Sequence, residues 1–358
     1  MGHAVARGEN ARTALQRMRE TSRSNRPRSL EHETRALLRR HRLLPKRDLG
    51  QSFLVSTVVR DLILRTADIG PQDIVVEIGP GTGVLTEDLA ERAGRLMAIE
   101  RDPGLHRLLM ERLGDRPGVS LICDDALDFD FVRALGDMLP AYQRAKLVSN
   151  LPYSVATPLI LQLIPLRQHF SFLLVMVQRE VAQRLLAAPG EEGYSALTLR
   201  CRYETDATAV AQVPRTAFYP RPAVDSTLVR LDLLPGPRVA VHSPDLLFRI
   251  VRAAFAQRRK MLRNALLHAG IMAEPTALEQ TLADVEIDPK RRGETLSLDE
   301  FARLADCLHA MRAVPSDTPS PLPLPTGTPL GAERITVGRL RMTDEVVDYR
   351  RIWPDRTD

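Results

Sequence analysis

The chain has 358 residues, 44% of them hydrophobic and only 4% aromatic, which is enough for two globular domains around a large aliphatic core. Its formal net charge of +5 is modest, so affinity for phosphate would have to come from local clusters of basic residues. No apolar run could cross a bilayer and no Cys or His pair has metal-ligand spacing, so we expect a cytoplasmic protein with reduced thiols and no metal.

The N-terminal stretch, residues 1–46, is rich in Arg and lacks hydrophobic periodicity. Such a composition is typical of a basic arm that is disordered or only loosely helical. An organelle transit peptide is the alternative, but transit peptides are poor in acids and this stretch contains Glu9, Glu20, Glu31 and Glu33. We therefore predict an arm followed by a catalytic domain over residues 47–235.

A β-branched strand then runs directly into a glycine-rich turn. Residues 73–78 are followed by Gly79, Gly81 and Gly83, and a helix is predicted from residue 84. Glycines at this place let backbone N–H groups approach a nucleotide-type ligand, although a simple tight turn remains the alternative. Because no further spaced glycine follows, the pattern favours S-adenosylmethionine over NAD.

The next two predicted strands both end in carboxylates. Residues 95–100 end in Glu100, which stands at the distance from the glycines where a carboxylate accepts hydrogen bonds from ribose. Residues 119–123 are followed by Asp125, which could accept from an adenine amino group. The duller alternatives are a solvated turn for Glu100 and a cap of the short segment 126–127 for Asp125.

A fourth strand, residues 146–149, ends in Asn150, Leu151, Pro152 and Tyr153. The N6 amine of adenine is a poor nucleophile, and the Asn150 side-chain oxygen and the Leu151 carbonyl could hold its two hydrogens in a geometry that frees the lone pair. Pro152 makes the turn rigid, and the Tyr153 ring offers a face for a base taken out of its stack. The tetrapeptide alone could also be an ordinary turn.

The second half of the chain predicts one more domain and two tails. We expect a buried helix at 159–166 and strands at 172–177, 194–213 and 226–232, which complete a mostly parallel sheet. Residues 236–313 are helical and basic. Within them, residues 249–263 have the spacing of one helix with an apolar and a basic face. Residues 314–358 form a Pro-rich linker and a polar tail to which we assign no function.

Taken together, these motifs resemble the small-subunit ribosomal RNA adenine-N6,N6-dimethyltransferases of the KsgA/RsmA type, over about residues 47–308. The matching stretches are 49–54 (LGQSFL), 77–83 (EIGPGTG), 99–100 (IE), 124–127 (DDAL), 150–153 (NLPY), 178–184 (QREVAQR), 218–226 (FYPRPAVDS) and 255–264 (FAQRRKMLRN).

The resemblance implies an α/β fold, with the mostly parallel, doubly wound Rossmann-like sheet of class I methyltransferases and a small C-terminal all-α domain. It implies transfer of two methyl groups from S-adenosylmethionine to each of two adjacent adenines near the 3′ end of small-subunit rRNA. The expected substrate is a preribosomal 30S-type particle, and the expected state of the protein is a monomer.

The resemblance also assigns residues. The cofactor site would comprise Gln51, Ser52, Leu54, Gly79, Gly81, Glu100, Asp125 and Asn150. Ser52 departs from the Asn usual in the family, which puts its contact in doubt. The catalytic set would be Asn150, Leu151, Pro152, Tyr153 and Phe218, with the base between Tyr153 and Phe218, although Phe218 could instead be a buried anchor. RNA phosphates would contact Arg221, Arg252, Arg258, Arg259, Lys260 and Arg263.

Three alternatives stay open. A large-subunit rRNA adenine-N6 methyltransferase of the macrolide-resistance type would tend to have Phe at position 153 and to lack the 218–226 pattern. A non-catalytic RNA-binding or assembly relative would not need an intact set of cofactor residues. A DNA adenine methyltransferase would usually carry a second Pro in place of Leu151.

Overall fold

A computed structural model describes residues 29–46, 49–139 and 143–313. Its strands are β1 (Phe53–Leu54), β2 (Ile74–Ile78), β3 (Arg95–Glu100), β4 (Val119–Cys123), β5 (Ala145–Asn150), β6 (Phe170–Gln178), β7 (Thr205–Val213), β8 (Phe218–Tyr219) and β9 (Ser226–Leu233). Its helices are α1 (Leu30–Arg40), α2 (Thr57–Ala67), α3 (Thr86–Arg92), α4 (Pro103–Leu113), α5 (Phe131–Gly136), α6 (Ala156–Leu163), α7 (Arg179–Leu186), α8 (Ala196–Glu204), α9 (Pro244–Ala256), α10 (Leu262–His268), α11 (Pro275–Asp284) and α12 (Leu298–Ala313).

Seven of the strands form one sheet in the order β4-β3-β2-β5-β6-β9-β7. The strands from β4 to β6 are parallel, and β9 inserts antiparallel between β6 and β7. The mostly parallel, doubly wound sheet predicted from the sequence is thus confirmed. In such a sheet the loops after the parallel strands meet at one edge, where ligands bind.

Helices cover both faces of the sheet, which explains why its strands are apolar without alternation. On one face Val76 of β2 packs in a cluster with Leu159 of α6. On the other face Val75 packs with Ile63 and Leu64 of α2. Successive side chains of one strand therefore enter two different cores, and both cores hold the strand ends in place.

The C-terminal helices α9 to α12 share a buried cluster with α8 of the sheet domain. Leu247 and Phe301 of this part lie in the same buried cluster as Leu199 and Tyr203 of α8. The Tyr194 hydroxyl also donates a hydrogen bond of 2.8 Å to the Leu296 carbonyl. The helical part is therefore joined to the sheet domain by packing as well as by the chain.

Part of the predicted N-terminal arm is an ordered helix. The Ser29 side chain caps α1 by accepting from the His32 N–H, and Leu38 is 3% exposed among Phe53 and Leu105. Acidic residues lie in the first turn of α1 and basic ones in the last, as the helix dipole favours. The disordered alternative is wrong for residues 29–46, the helical alternative describes residues 30–40, and residues 1–28 lie outside the described part.

Two other elements differ from their predictions. The stretch 194–213 is not one strand, because residues 196–204 form α8, whose burial on nearly all sides hides any helical pattern. A capping box between Ser195 and Thr198 starts this helix. The basic stretch 249–263 is also not one helix, because α9 ends at Ala256 and the Leu262 N–H instead donates to the Arg291 carbonyl. The linker and tail predicted at 314–358 lie outside the described residues.

Across residues 29–46, 49–139 and 143–313, no helix combines the length and the apolar character required to span a bilayer. Within the same ranges no three His, Cys, Asp or Glu side chains gather as metal ligands.

Candidate active site

A cleft of about 930 Å³, including its open mouth, lies at the edge where β2, β3 and β5 end. All eight residues predicted to hold a cofactor line it, and so do Leu151, Pro152 and Tyr153. Residues from five separate stretches of the sequence thus meet in one place. Phe218 is the one predicted member of this site that does not line the cleft.

The glycine turn packs directly against two of the other motifs. Gly79 and Gly81 have φ of +68° and +60°, which L side chains rarely adopt. A Cβ at Gly79 would lie 3.0 Å from the Pro152 ring, and one at Gly81 would lie 2.8 Å from the Phe53 ring. Glycine is required here for conformation and for close packing, and the result is a cleft floor made of backbone.

Glu100 fixes this floor. One of its carboxylate oxygens accepts from the Gly81 N–H at 3.0 Å and the other from the Asp102 N–H at 2.8 Å. Burial raises the pKa of Glu100, and the backbone hydrogen bonds from Asp102 and Gly81 work against that rise. Each carboxylate oxygen has a second lone pair, so Glu100 can still accept from a ligand hydroxyl.

Asp125 has two partners in the protein. Its Oδ1 accepts from the Leu127 N–H at 3.0 Å, as the capping alternative predicted, and its Oδ2 lies 3.3 Å from Arg101. Arg101 lines the cleft and was missed by the sequence analysis. Its position directly after Glu100 was the only signal that could have pointed to it.

Asn150 contributes an unused acceptor. Its Nδ2 donates to the Ser52 carbonyl at 2.9 Å, which fixes the orientation of the carboxamide. Its Oδ1 is buried and has no hydrogen-bond partner among the described residues. A buried acceptor without a donor is costly, typically by about 1–3 kcal/mol. Because this unpaired Oδ1 lies beside the cleft, we infer that it accepts a hydrogen bond from an N–H group of a ligand.

Glu77, at the base of the cleft, is a second group of this kind. Burial raises its pKa from 4.5 to about 8, and the nearby charge of Glu100 adds to the rise. Its Oε2 has no partner among the described residues. A cationic ligand would favour the ionised carboxylate and lower this pKa.

The charge of the cleft suits a positively charged cofactor. Four carboxyl groups and one guanidinium line it: Glu77, Glu100, Asp124, Asp125 and Arg101. The sulfonium and ammonium groups of S-adenosylmethionine are complementary to such a lining, whereas the pyrophosphate of NAD would be repelled. The residues present therefore fit the cofactor that the sequence predicted.

Tyr153 and Phe218 do not form the predicted sandwich. Their ring centroids lie 6.4 Å apart and the rings meet at 71°, edge to face. Phe218 is only 2% exposed and packs with Leu54 and Leu174 in a core cluster. In this structure Phe218 backs the Tyr153 ring, so the alternative of a buried anchor describes it better.

Comparisons with known proteins agree with this geometry. The family model described as ribosomal RNA adenine dimethylase matches residues 43–307. The chain belongs to the ribosomal RNA adenine dimethylase family.

Two bacterial relatives are named ribosomal RNA small subunit methyltransferase A. The relative from Pelotomaculum thermopropionicum is 47% identical over 277 residues, covering 76% of this chain and 94% of the relative. The relative from Moorella thermoacetica is 45% identical over 282 residues, covering 77% and 96%.

Two solved structures are also similar. A dimethyladenosine transferase from Plasmodium falciparum is 26% identical, covers 70% of this chain and 95% of its own, and has a TM-score of 0.58. The 23S rRNA methyltransferase ErmE is 24% identical, covers 72% and 99%, and has a TM-score of 0.55. At that identity the second comparison supports the fold alone.

Ser52 stands where this dimethylase family usually has Asn, and in the structure it makes hydrogen bonds within the protein. Its hydroxyl donates to the Pro220 carbonyl at 2.8 Å, and its own carbonyl accepts from Asn150. The hydroxyl proton is therefore used within the protein. Ser52 connects Pro220 to the Asn150 carboxamide, and its predicted direct contact with the cofactor remains a prediction.

The residues predicted for RNA binding in this dimethylase divide into two groups. Arg258 pairs with Glu294 at 3.5 Å, Arg263 pairs with Glu279, and burial lowers the pKa of the half-buried Arg252. By contrast, three of these residues are exposed and have no carboxylate within 4.0 Å in the described part of the chain: Arg221, Arg259 and Lys260. Arg259 and Lys260 lie in the turn between α9 and α10.

Proposed function

We propose that the chain transfers methyl groups from S-adenosylmethionine to N6 of two adjacent adenosines near the 3′ end of small-subunit rRNA, giving N6,N6-dimethyladenosines. The observation that carries the proposal is the buried, unpaired Oδ1 of Asn150 beside an acid-lined cleft with a glycine floor. The family and the names of its relatives support the same reaction.

The chain's own residues supply binding and orientation. The glycine turn, Glu77, Glu100 and Asp125 would hold the cofactor, and Gln51 and Leu54 would close its side of the cleft. When bound, S-adenosylmethionine supplies an electrophilic methyl group on a positively charged sulfur. Because that electrophile is strong, the protein has mainly to orient the amine, and no general base is essential.

The amine would be held at the rim of the cleft. Asn150 Oδ1 would accept one N6 hydrogen and the Leu151 carbonyl the other, while the adenine ring lies on Tyr153. Both acceptors sit on a turn that Pro152 and its contact with Gly79 make rigid. This arrangement addresses the weak nucleophilicity of the amine by fixing its direction of approach.

The rRNA would be bound through its backbone and its folded shape. Arg221, Arg259 and Lys260 present free positive charge to phosphates, which gives affinity without reading sequence. Specificity would then come from the structure of a preribosomal 30S-type particle. We propose that the protein acts on this particle as a monomer in the cytoplasm, where such particles are assembled.

The large-subunit alternative is less well supported. The likeness to ErmE concerns the fold, whereas Tyr153 and the 218–226 segment follow the small-subunit pattern. The non-catalytic alternative would not require Asn150 and Glu77 to be buried without partners beside the cleft.

The test is methyl transfer from tritiated cofactor to four substrates in parallel: unmethylated small subunits, large subunits, naked small-subunit rRNA and duplex DNA. We expect labelled dimethyladenosine only with small subunits. The Asn150→Ala variant should lose this product. Ser171→Ala should keep it, because the Ser171 hydroxyl donates to the Ala145 carbonyl at the N-terminal ends of β5 and β6, whereas the cleft lies at the C-terminal ends. Label in large-subunit rRNA or in DNA, with none in small subunits, would overturn the proposal.

A further inference from the structure

The Tyr153 ring is held by a hydrogen bond that the reaction itself does not use. Its hydroxyl lies 2.7 Å from the Oγ of Ser226. The buried Phe218 ring packs edge to face with the Tyr153 ring, with 6.4 Å between the ring centroids. Tyr153 also lines the cleft. The Tyr153 ring is therefore held by its hydroxyl and by its contact with Phe218 before any base binds.

Ser226 is a rigid anchor. It is 1% exposed and begins β9, where it pairs with Gln178 of β6 and with Val213 of β7. The preceding Asp225 accepts from the Arg179 N–H through its carbonyl and from the Arg215 N–H through its side chain. Because the Ser226 backbone is paired on both sides, its hydroxyl can move only by rotation about χ1, so the hydrogen bond restricts the position of the ring.

The bond also joins two separate features of the sequence. Tyr153 and the 218–226 segment are the features that argue against the large-subunit alternative, and they lie 73 positions apart at their point of contact. In the structure they meet as one pair of hydroxyl groups. Both features therefore contribute to one hydrogen bond, which holds the Tyr153 ring.

We propose that Ser226 is a positioning residue for the target adenine, acting through Tyr153. The inference rests on the proposed function, because it concerns the base that lies on the Tyr153 face. With the hydrogen bond in place, the ring has one height and one tilt, and the base lying on it presents N6 to Asn150 in one orientation. Without it, the ring and the base sample several orientations, and few of them align the amine for transfer.

The inference predicts a loss of rate with little loss of affinity. Most rRNA affinity comes from the backbone contacts, so Ser226→Ala should leave KM for small subunits within about twofold. The turnover number should fall by roughly tenfold, because orientation at the reacting centre is lost. The second methylation should suffer more than the first, because the monomethylated amine is bulkier, so monomethyladenosine should accumulate.

The experiment compares Ser226→Ala, Tyr153→Phe and the double variant by kcat, KM and the ratio of mono- to dimethyladenosine. Because each single change removes the same hydrogen bond, the double variant should lose no more than the stronger single one. Ser171→Ala is the matched control, since it removes a part-buried hydroxyl from the same sheet away from the cleft. Fully additive losses, or a Ser226→Ala enzyme equal to wild type, would overturn the inference.

A spectroscopic readout separates positioning from general destabilisation. Incorporated 3-fluorotyrosine labels the six Tyr residues, and the Tyr153→Phe variant identifies the signal of position 153. Ser226→Ala should shift and narrow that signal as the ring moves more freely, and Ser171→Ala should leave it unchanged. An unshifted signal would contradict the inference. Should Ser226→Ala fail to fold, Tyr153→Phe decides, since a wild-type kcat and product ratio there would refute it.

The failure of the inference and of the proposed function give different results. A wild-type enzyme that methylates no small subunits would refute the function, and the role of Ser226 in positioning adenine would fall with it. An active wild type with an indifferent Ser226→Ala variant would refute the inference alone.

Discussion

Replacing Asn150 with Ala tests the central feature of the site. The change removes the unpaired Oδ1 that would hold the substrate amine and the Nδ2 hydrogen bond to the Ser52 carbonyl. It leaves the glycine turn, Glu100 and Tyr153 in place. We therefore expect a large effect on transfer and a small one on the fold.

The two effects have separate magnitudes. Loss of one preorganised hydrogen-bonding group at the reacting centre lowers kcat by about 10²–10³-fold. Loss of one hydrogen bond within the protein costs about 1 kcal/mol. In a chain of this size such a loss lowers Tm by about 1–2 °C. The Asn150→Ala variant should thus be folded at assay temperature and nearly inactive.

Single-turnover methyl transfer to small subunits, with enzyme in excess, measures the first effect without interference from product release. Thermal unfolding measures the second, and Ser171→Ala serves as the control for a lost hydroxyl hydrogen bond in the sheet. A transfer rate within about threefold of wild type would refute the reasoning, because losing such a group should lower the rate by about 10²–10³-fold. So would a loss of activity explained fully by unfolding.

Three further predictions concern Glu77 and Gly81 of the cleft and Lys260 of the basic turn. The pKa of Glu77 is raised from 4.5 to about 8 in the folded protein. Between these pH values the unfolded state binds fewer protons than the folded state, so the cofactor-free protein should lose stability as the pH rises from 4.5 to about 8. Glu77→Gln should flatten this slope in calorimetry and weaken cofactor binding; an unchanged slope would contradict the burial argument. Gly81→Ala should abolish measurable cofactor binding in titration calorimetry, because its Cβ would meet the Phe53 ring, and retained affinity would show that the floor can yield. Lys260→Glu should weaken binding to rRNA and reduce its salt slope by about 1 while cofactor affinity stays unchanged, and an identical slope would place Lys260 off the RNA.

The sequence predicted the sheet and the cleft well because both leave local signals. Strands β2, β3 and β5 are buried on both faces and so appear as short apolar runs. The fold brings to one edge the glycine turn after β2, Glu100 at the end of β3 and Asn150 at the end of β5. The glycines carried a second signal, since positive φ and close packing exclude other residues there.

The parts that the sequence missed depend on tertiary contacts. Helix α8 is buried on nearly all sides, so it lacks the amphipathic pattern by which surface helices are found. The order in α1 comes from Leu38 packing on Phe53 and Leu105, which are distant in sequence. The role of Phe218 depended on ring orientation, and only the fold shows that it backs Tyr153 instead of facing it.

The core common to α8 and the C-terminal helices holds the basic turn at a set distance from the cleft. Leu247, Phe301 and Tyr203 interlock across the junction, so the basic turn at Arg259 cannot swing toward or away from Asn150 as a hinged arm would. If Arg259 binds an RNA phosphate as proposed, the protein sets the distance between that phosphate and the adenine held at Asn150. We then expect the enzyme to favour RNA whose folding places a phosphate and the target adenine at that distance.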